Sequence, residues 1–233
     1  MLNEKEIKDW YDRKHRILGE NAWRPYEAYP IFLDYLNVTS GKTLLDIGCG
    51  TGYLLKAADQ RGLETYGVDI SDEAVKITKK NSPNSKIIVG KGEELEFPPL
   101  FFDYVTCIGA LEHFLDMELS IKEMLRVAKK GALFCIVVPN INFFVWKIGG
   151  IKGTEQKDIN EKLLSLKDWK NILLKEEFEI LKIYQDKYIF KANNIFQSLN
   201  PLAIVKRTIC KSMYYFLPLK YAYQFIFIME KVK

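Results

Sequence analysis

Histidine is scarce in this chain, two among 233 residues, and the four cysteines, Cys49, Cys107, Cys135 and Cys210, stand far apart with no C-x-x-C pair. That excludes a disulfide framework or a cysteine-spaced zinc site and fits reduced thiols. Long apolar runs are missing as well. The most hydrophobic stretches, 132–138 and 225–229, fall far short of the ~20 residues a membrane helix needs. The start, Met1-Leu2-Asn3-Glu4-Lys5-Glu6, is charged and lacks the apolar segment of a secretory signal, which predicts a cytoplasmic protein. Nor does either sign of charge dominate: 34 Lys and Arg oppose 30 Asp and Glu, a net charge of +4. With the lysines spread along the chain, no nucleic-acid partner is expected. There is no internal repeat and no low-complexity tract.

What is present is an ordinary globular composition, 48% hydrophobic and 27% charged, long enough for one domain with a full core. Residues 3–18 have helical apolar spacing, and a second helical stretch, punctuated by Pro25 and Pro30, ends near Asn37. From residue 42 the pattern alternates. Strands are predicted at 43–47, 65–68, 86–89, 104–108 and 133–138, with helices at 53–61, 72–80 (Ser71 as N-cap) and 118–129, the last ended by Gly131. Repeated strand and helix units imply an α/β, doubly wound, mainly parallel sheet. The rest is less regular: a loop at 140–165, a helix at 166–177, a strand at 179–188, and a final strand at 224–231 after an insertion of about 30 residues. The whole chain, 1–233, is read as a single domain. It has an N-terminal helical cap (1–40), a ligand-binding core (41–140) and two substrate or lid insertions (141–165 and 190–220).

The core carries the most informative stretch, Leu44-Leu45-Asp46-Ile47-Gly48-Cys49-Gly50-Thr51-Gly52. Gly48, Gly50 and Gly52 allow a tight turn and close approach of a ligand to the backbone. Asp46 sets this loop apart from a dinucleotide loop. A carboxylate ahead of the first glycine opposes a pyrophosphate and suits a positively charged ligand. Asp69, 23 positions further on, ends the next strand, where a two-oxygen acceptor reaches ribose hydroxyls.

These motifs resemble those of class I S-adenosylmethionine-dependent methyltransferases, in the small-molecule branch. Asp46 with Gly48, Gly50 and Gly52 matches the first motif, and Asp69 in Tyr66-Gly67-Val68-Asp69-Ile70 the second. Gly90-Lys91-Gly92-Glu93-Glu94 stands at the third, Phe102-Asp103-Tyr104-Val105 leading to Leu111-Glu112-His113 at the fourth, and Leu125-Arg126-Val127 at the fifth. The resemblance implies a seven-stranded, Rossmann-like methyltransferase sheet with an antiparallel last strand. It also implies S-adenosyl-L-methionine as cofactor, S-adenosyl-L-homocysteine as product and a small-molecule acceptor. Gly48, Cys49, Gly50, Gly92, Ile108 and His113 would line the cofactor, with Ile70 beside the adenine. Family members often carry Asp where Lys91 stands, which leaves Glu93 or a backbone carbonyl for the adenine amino group. Relatives also fold an N-terminal helix over the cofactor. Tyr11 would line that lid and Arg24 would meet the cofactor carboxylate.

His113 lies just beyond the fourth core strand and is a candidate general base; its alternative is a packing role at the start of a helix. No metal is expected, because Gly109 stands where a quinone-type subgroup has a further glutamate. The expected reaction is in-line methyl transfer to an oxygen, or less readily a nitrogen or carbon, of a small molecule; no Asn- or Asp-Pro-Pro-Tyr signature follows that strand, which disfavours amino-methylation of nucleic-acid bases. The basic, apolar segment 190–220 suits peripheral membrane contact or cover for an apolar, sugar or lipid-linked acceptor, while dimer contact or lid packing is the plainer account, in a monomer or a homodimer. Two rivals stand beside this reading: a nicotinamide oxidoreductase, and a non-catalytic S-adenosylmethionine-binding scaffold.

Overall fold

The apolar run of 132–138 forms the middle of β5 (Ala128–Pro139), and its side chains point alternately to the two faces of the sheet, as strand geometry requires. Phe134, Ile136 and Val138 join one core layer with Ile121, Met124 and Trp169. Cys135 and Val137 join the other with Phe32, Leu54 and Leu55. A strand buried on both faces lies between two helical layers. The structure is a computed structural model and describes residues 2–144, 146, 158–174, 177–186, 216 and 218–232.

The other strands are β1 (Thr43–Ile47), β2 (Glu64–Asp69), β3 (Lys86–Val89), β4 (Phe102–Ile108), β6 (Phe178–Gln185) and β7 (Gln224–Lys231). They form one seven-stranded sheet in the order β3-β2-β1-β4-β5-β7-β6. Neighbours from β3 to β5 pair in parallel, and β7 runs antiparallel to both β5 and β6. The last strand is thus antiparallel, and it slots between β5 and β6 rather than closing an edge. Six helices are described: α1 (Glu4–Leu18), α2 (Pro30–Leu36), α3 (Tyr53–Asp59), α4 (Asp72–Asn81), α5 (Met117–Val127) and α6 (Leu166–Leu174).

Side-chain caps fix the starts of several helices. Asn3 and Glu6 form a reciprocal capping box on α1, Ser71 Oγ accepts from Ala74 N at 3.0 Å at the start of α4, and Asp116 does the same for α5. These bonds satisfy N–H groups that have no partner within the helix.

Several expected boundaries shift by a few residues, as at α3, which ends at Asp59 rather than 61, and the largest correction is at Gly131. Gly131 does not end a helix running to 129; α5 stops at Val127 and Ala128 is already extended. Gly131, at φ +71, sits inside β5 where pairing with β4 jumps from Phe102↔Ala128 to Tyr104↔Leu133, a bulge that glycine accommodates. The end of α5 is capped from β7 instead: Lys231 Nζ donates to Leu125 O at 2.7 Å and Ala128 O at 3.0 Å. No local pattern announces a cap supplied about a hundred residues later.

The N-terminal cap is docked rather than loosely attached. Asp12 accepts from Ser71 Oγ at 2.7 Å and from Glu73 N at 3.2 Å, which holds α1 on the start of α4. Leu2 and Asn160 exchange two hydrogen bonds of 2.9 and 2.8 Å. Buried Asn140 donates to Lys220 O and Ala222 O, tying the flanks of the two insertions together. Most of 141–165 beyond residue 144, and nearly all of 190–220, lie outside the described residues. Among the described residues no helix is long and apolar enough to cross a membrane.

Candidate active site

Strand order reverses between β1 and β4, and sheets of this kind take ligands beyond the carboxyl ends of the strands at that point. Gly48, at φ +71, makes the approach of the two loops feasible: a Cβ there would lie 2.6 Å from Ala110 Cβ. Its N–H and that of Cys49 donate to Val68 O at 2.8 and 3.1 Å, binding the loop to β2. Asp69 then braces it from the other side. Its Oδ2 accepts from Gly50 N at 2.8 Å and its Oδ1 from Ser71 N at 2.9 Å. Burial raises the pKa of this carboxyl, and the two N–H donors oppose that shift.

A cavity of about 440 Å³ opens over these loops. Every residue expected at the site lines it except Gly52. Gly52 has φ +75 and backs onto α4, where a Cβ would lie 2.5 Å from Thr78 Cγ2. It sits at the start of α3, packed on α4 rather than lining the cavity.

The charges differ from the simple expectation. Asp46 is 3% exposed, faces Thr106 in register across β1 and β4 and accepts that hydroxyl at 2.7 Å. Burial pushes its carboxyl up to about 7. A cation alongside would favour its ionised form. Arg24 Nη2 meets Asp186 Oδ2 at 2.5 Å and also Gln224, so the cavity wall is built on an internal carboxylate partner for this guanidinium. Glu93 is likewise engaged, accepting from Leu115 N at 2.9 Å, and Lys91 pairs with Glu4 of α1 at 3.1 Å.

Glu112 and His113 occupy a 3-10 turn after β4. His113 Nδ1 lies 2.9 Å from Ile159 O, so that nitrogen carries the proton and Nε2 is the acceptor. Among the described residues Nε2 has no hydrogen-bond partner. Burial drives the imidazole down to about 4, so the ring is neutral near pH 7 and its Nε2 is open to accept a hydrogen bond. Glu112 is 1% exposed, its Oε2 has no partner among the described residues, and its Oε1 stands 3.9 Å from His113 Nε2. Burial pushes its carboxyl up to about 8. Glu112 thus lines the cavity although the motif resemblance does not single it out as a site residue.

Other lining residues escaped the sequence reading because distant segments deliver them. Trp23, at φ +67, donates from Nε1 to His15 Nε2 at 3.3 Å, while His15 Nδ1 donates to Tyr11 O at 3.0 Å. This pair closes over Gly50: a Cβ there would be 3.8 Å from Trp23 Cδ1. Tyr11 meets His113 edge to face at 6.4 Å. Tyr223 and Gln224 arrive with β7.

The two shifted groups of the 3-10 turn make ligand-free stability depend on pH in opposite senses. Folded Glu112 keeps its proton to about pH 8, whereas an unfolded glutamate loses it near 4.3. The folded state therefore holds the extra proton in between, and stability falls as pH rises through that window. Folded His113 protonates only near 4 and an unfolded histidine near 6.5, so its contribution is lost as pH falls between those values. Urea unfolding at pH 6.5 and 8.5 is expected to show a loss of stability at the higher pH that is smaller by on the order of 2 kcal/mol in Glu112→Gln. Equal losses in both proteins would contradict the assignment.

A doubly wound sheet with a glycine-rich loop at its switch point and an acidic residue ending β2 over one cavity defines a Rossmann-like adenosyl-cofactor protein. The comparisons sharpen this. A family model described as methyltransferase domain matches residues 45–136. An uncharacterized protein of Methanocaldococcus jannaschii is 32% identical over 80% of this chain and 84% of its own length. The ubiquinone biosynthesis O-methyltransferase of Hahella chejuensis is 32% identical over 62% of this chain; the match spans 66% of that relative, just under two thirds. The fold of Haemonchus contortus phosphoethanolamine N-methyltransferase 2 in complex with S-adenosyl-L-methionine superposes with a TM-score of 0.68 at 18% identity, covering 100% of this chain and 61% of that one. The chain belongs to the class I S-adenosylmethionine-dependent methyltransferases. S-adenosylmethionine is accordingly its cofactor, and the oxidoreductase reading falls away.

Proposed function

We propose that the protein transfers the methyl group of S-adenosylmethionine to an oxygen of a small-molecule acceptor. One juxtaposition carries this reading: a single cavity holds Asp69, braced as a two-oxygen acceptor at the end of β2, and a neutral imidazole, His113, whose Nε2 has no partner among the described residues. The residues fit the cofactor. Asp69 has lone pairs left for ribose hydroxyls after its two N–H contacts, and Ile70 offers an apolar wall for the adenine. Asp46 and Glu112 favour a cation, while the charge of Arg24 is already matched by Asp186. Bound there, S-adenosylmethionine supplies a methyl group already activated by its sulfonium charge.

The chain's own contribution is then positioning and proton handling. His113 Nε2 accepts the acceptor's hydroxyl hydrogen and so points an oxygen lone pair away from the ring. Tyr11, Trp23 and His15 roof the cavity and exclude water. The name of the Hahella relative, an O-methyltransferase, supports oxygen as the acceptor atom. The apolar, basic character of 190–220 supports an apolar, sugar or lipid-linked acceptor. Incubation with methyl-labelled S-adenosylmethionine and a panel of phenols, sugar alcohols, lipid-linked alcohols and amines tests this. Label on oxygen is the expected result; label confined to amine nitrogen would reject the oxygen assignment.

A further inference from the structure

Three carboxyl groups that line the cavity, Asp46, Asp69 and Glu112, are buried, but their surroundings differ. Asp69 is held by two backbone N–H groups and Asp46 by the Thr106 hydroxyl. Glu112 alone has a shielded carboxyl oxygen with no partner among the described residues, and it sits beside the imidazole that would hold the acceptor's hydroxyl. The groups facing it come from several elements: Tyr11 from α1, Arg24 from the N-terminal cap, Cys107 on β4, neighbouring His113, and Glu161 from the segment before α6. Only Arg24 among them is cationic, and it is already paired to Asp186. An empty cavity therefore gives the Glu112 carboxylate little support, and a bound sulfonium would give it a counter-charge.

We propose that Glu112 is the general base of the methyl transfer, ionised when the cationic donor binds and reprotonated by the acceptor's hydroxyl. This rests on the methyl-transfer reading above. The steps balance. Binding the donor, net charge +1, expels the Glu112 proton to solvent. The S–CH3 bond then breaks with its electron pair left on sulfur, the O–CH3 bond forms, and the acceptor's O–H bond breaks with the proton passing to Glu112 Oε2. S-adenosylhomocysteine is neutral overall, so the protonated carboxyl is restored as the donor's charge disappears. The cavity exchanges one cation for one proton and holds no added net charge at any stage, which avoids the cost of an unpaired buried charge. His113, too weakly basic to keep the proton, holds the hydroxyl hydrogen before the carboxyl ionises and yields it to the Glu112 carboxylate beside it.

The test uses the donor and product, so it needs no knowledge of the acceptor. Calorimetric titrations of S-adenosylmethionine and S-adenosylhomocysteine at pH 7, each in phosphate and in Tris, report protons released through the different ionisation enthalpies of the buffers. The wild-type protein is expected to release up to roughly one proton more with S-adenosylmethionine than with S-adenosylhomocysteine. In Glu112→Gln both ligands still bind and more than half of that excess disappears, Asp46 supplying the rest. The wild-type protein alone gives a second reading: at pH 9, where Glu112 is already ionised, the excess fades. No excess in the wild type, or an undiminished one in Glu112→Gln, overturns the proposal. Failure of either ligand to bind the wild type would instead overturn the methyl-donor reading beneath it.

Discussion

Asp69→Ala is expected to weaken S-adenosylhomocysteine binding about a hundredfold or more. Two ribose hydroxyls bonded to one carboxylate contribute roughly 3 kcal/mol or more in total, and each 1.4 kcal/mol is a factor of ten in Kd. The loss has a second source in this chain. Asp69 also accepts from Gly50 N and Ser71 N, so truncation removes the side-chain tie between Gly50 and β2 and leaves the loop held there by the Gly48 and Cys49 N–H groups. Asp69→Asn keeps one carbonyl acceptor and is expected to fall between the alanine variant and the wild type. Titration calorimetry of all three proteins decides the point, and a change of less than about threefold in the alanine variant would remove Asp69 from the ribose site.

The second large effect is on stability. Gly52→Val places a β-branched side chain at φ +75, with its Cβ 2.5 Å from Thr78 Cγ2 and 3.0 Å from Thr78 Cα. Left-handed strain of about 1–2 kcal/mol and overpacking of about 1–3 kcal/mol act together. At roughly 2–4 °C per kcal/mol for a chain of this size, Tm is expected to drop by about 10 °C. Gly19→Ala is the control. Gly19 has φ +56 but nothing within 4 Å of an added Cβ, so strain acts alone and the drop is a few degrees. Because Gly52 does not line the cavity, folded Gly52→Val is expected to keep its cofactor affinity. A variant with wild-type Tm and weakened binding would place Gly52 at the ligand instead.

The contrast between these two positions shows what the sequence could reveal. The order of strands and helices was readable because each carries its own periodicity and punctuation, and Ser71 caps α4 where the pattern puts it. Asp46 and Asp69 were readable because their spacing reflects one strand-loop-helix-strand unit. Local patterns fail when the deciding partner is remote. Gly131 looked like a helix stop because the real cap, Lys231, is contributed by β7. Arg24 looked available to a cofactor carboxylate because Asp186 and Gln224 are brought to it only by folding. The charge states of Asp46, Glu112 and His113 were invisible for the same reason: burial, which sets them, belongs to the finished cavity.

The placement of β7 bears on how the chain is made. Sequence order would add strands outward, yet β7 is inserted between β5 and β6, both of which leave the ribosome before it. Until its residues emerge, the β5 and β6 edges have no partner, the end of α5 lacks its Lys231 cap, and the cavity lacks Tyr223 and Gln224. Completion of this half of the sheet therefore waits for residues 224–231, and until then the β5 and β6 edges present unpaired N–H and C=O groups.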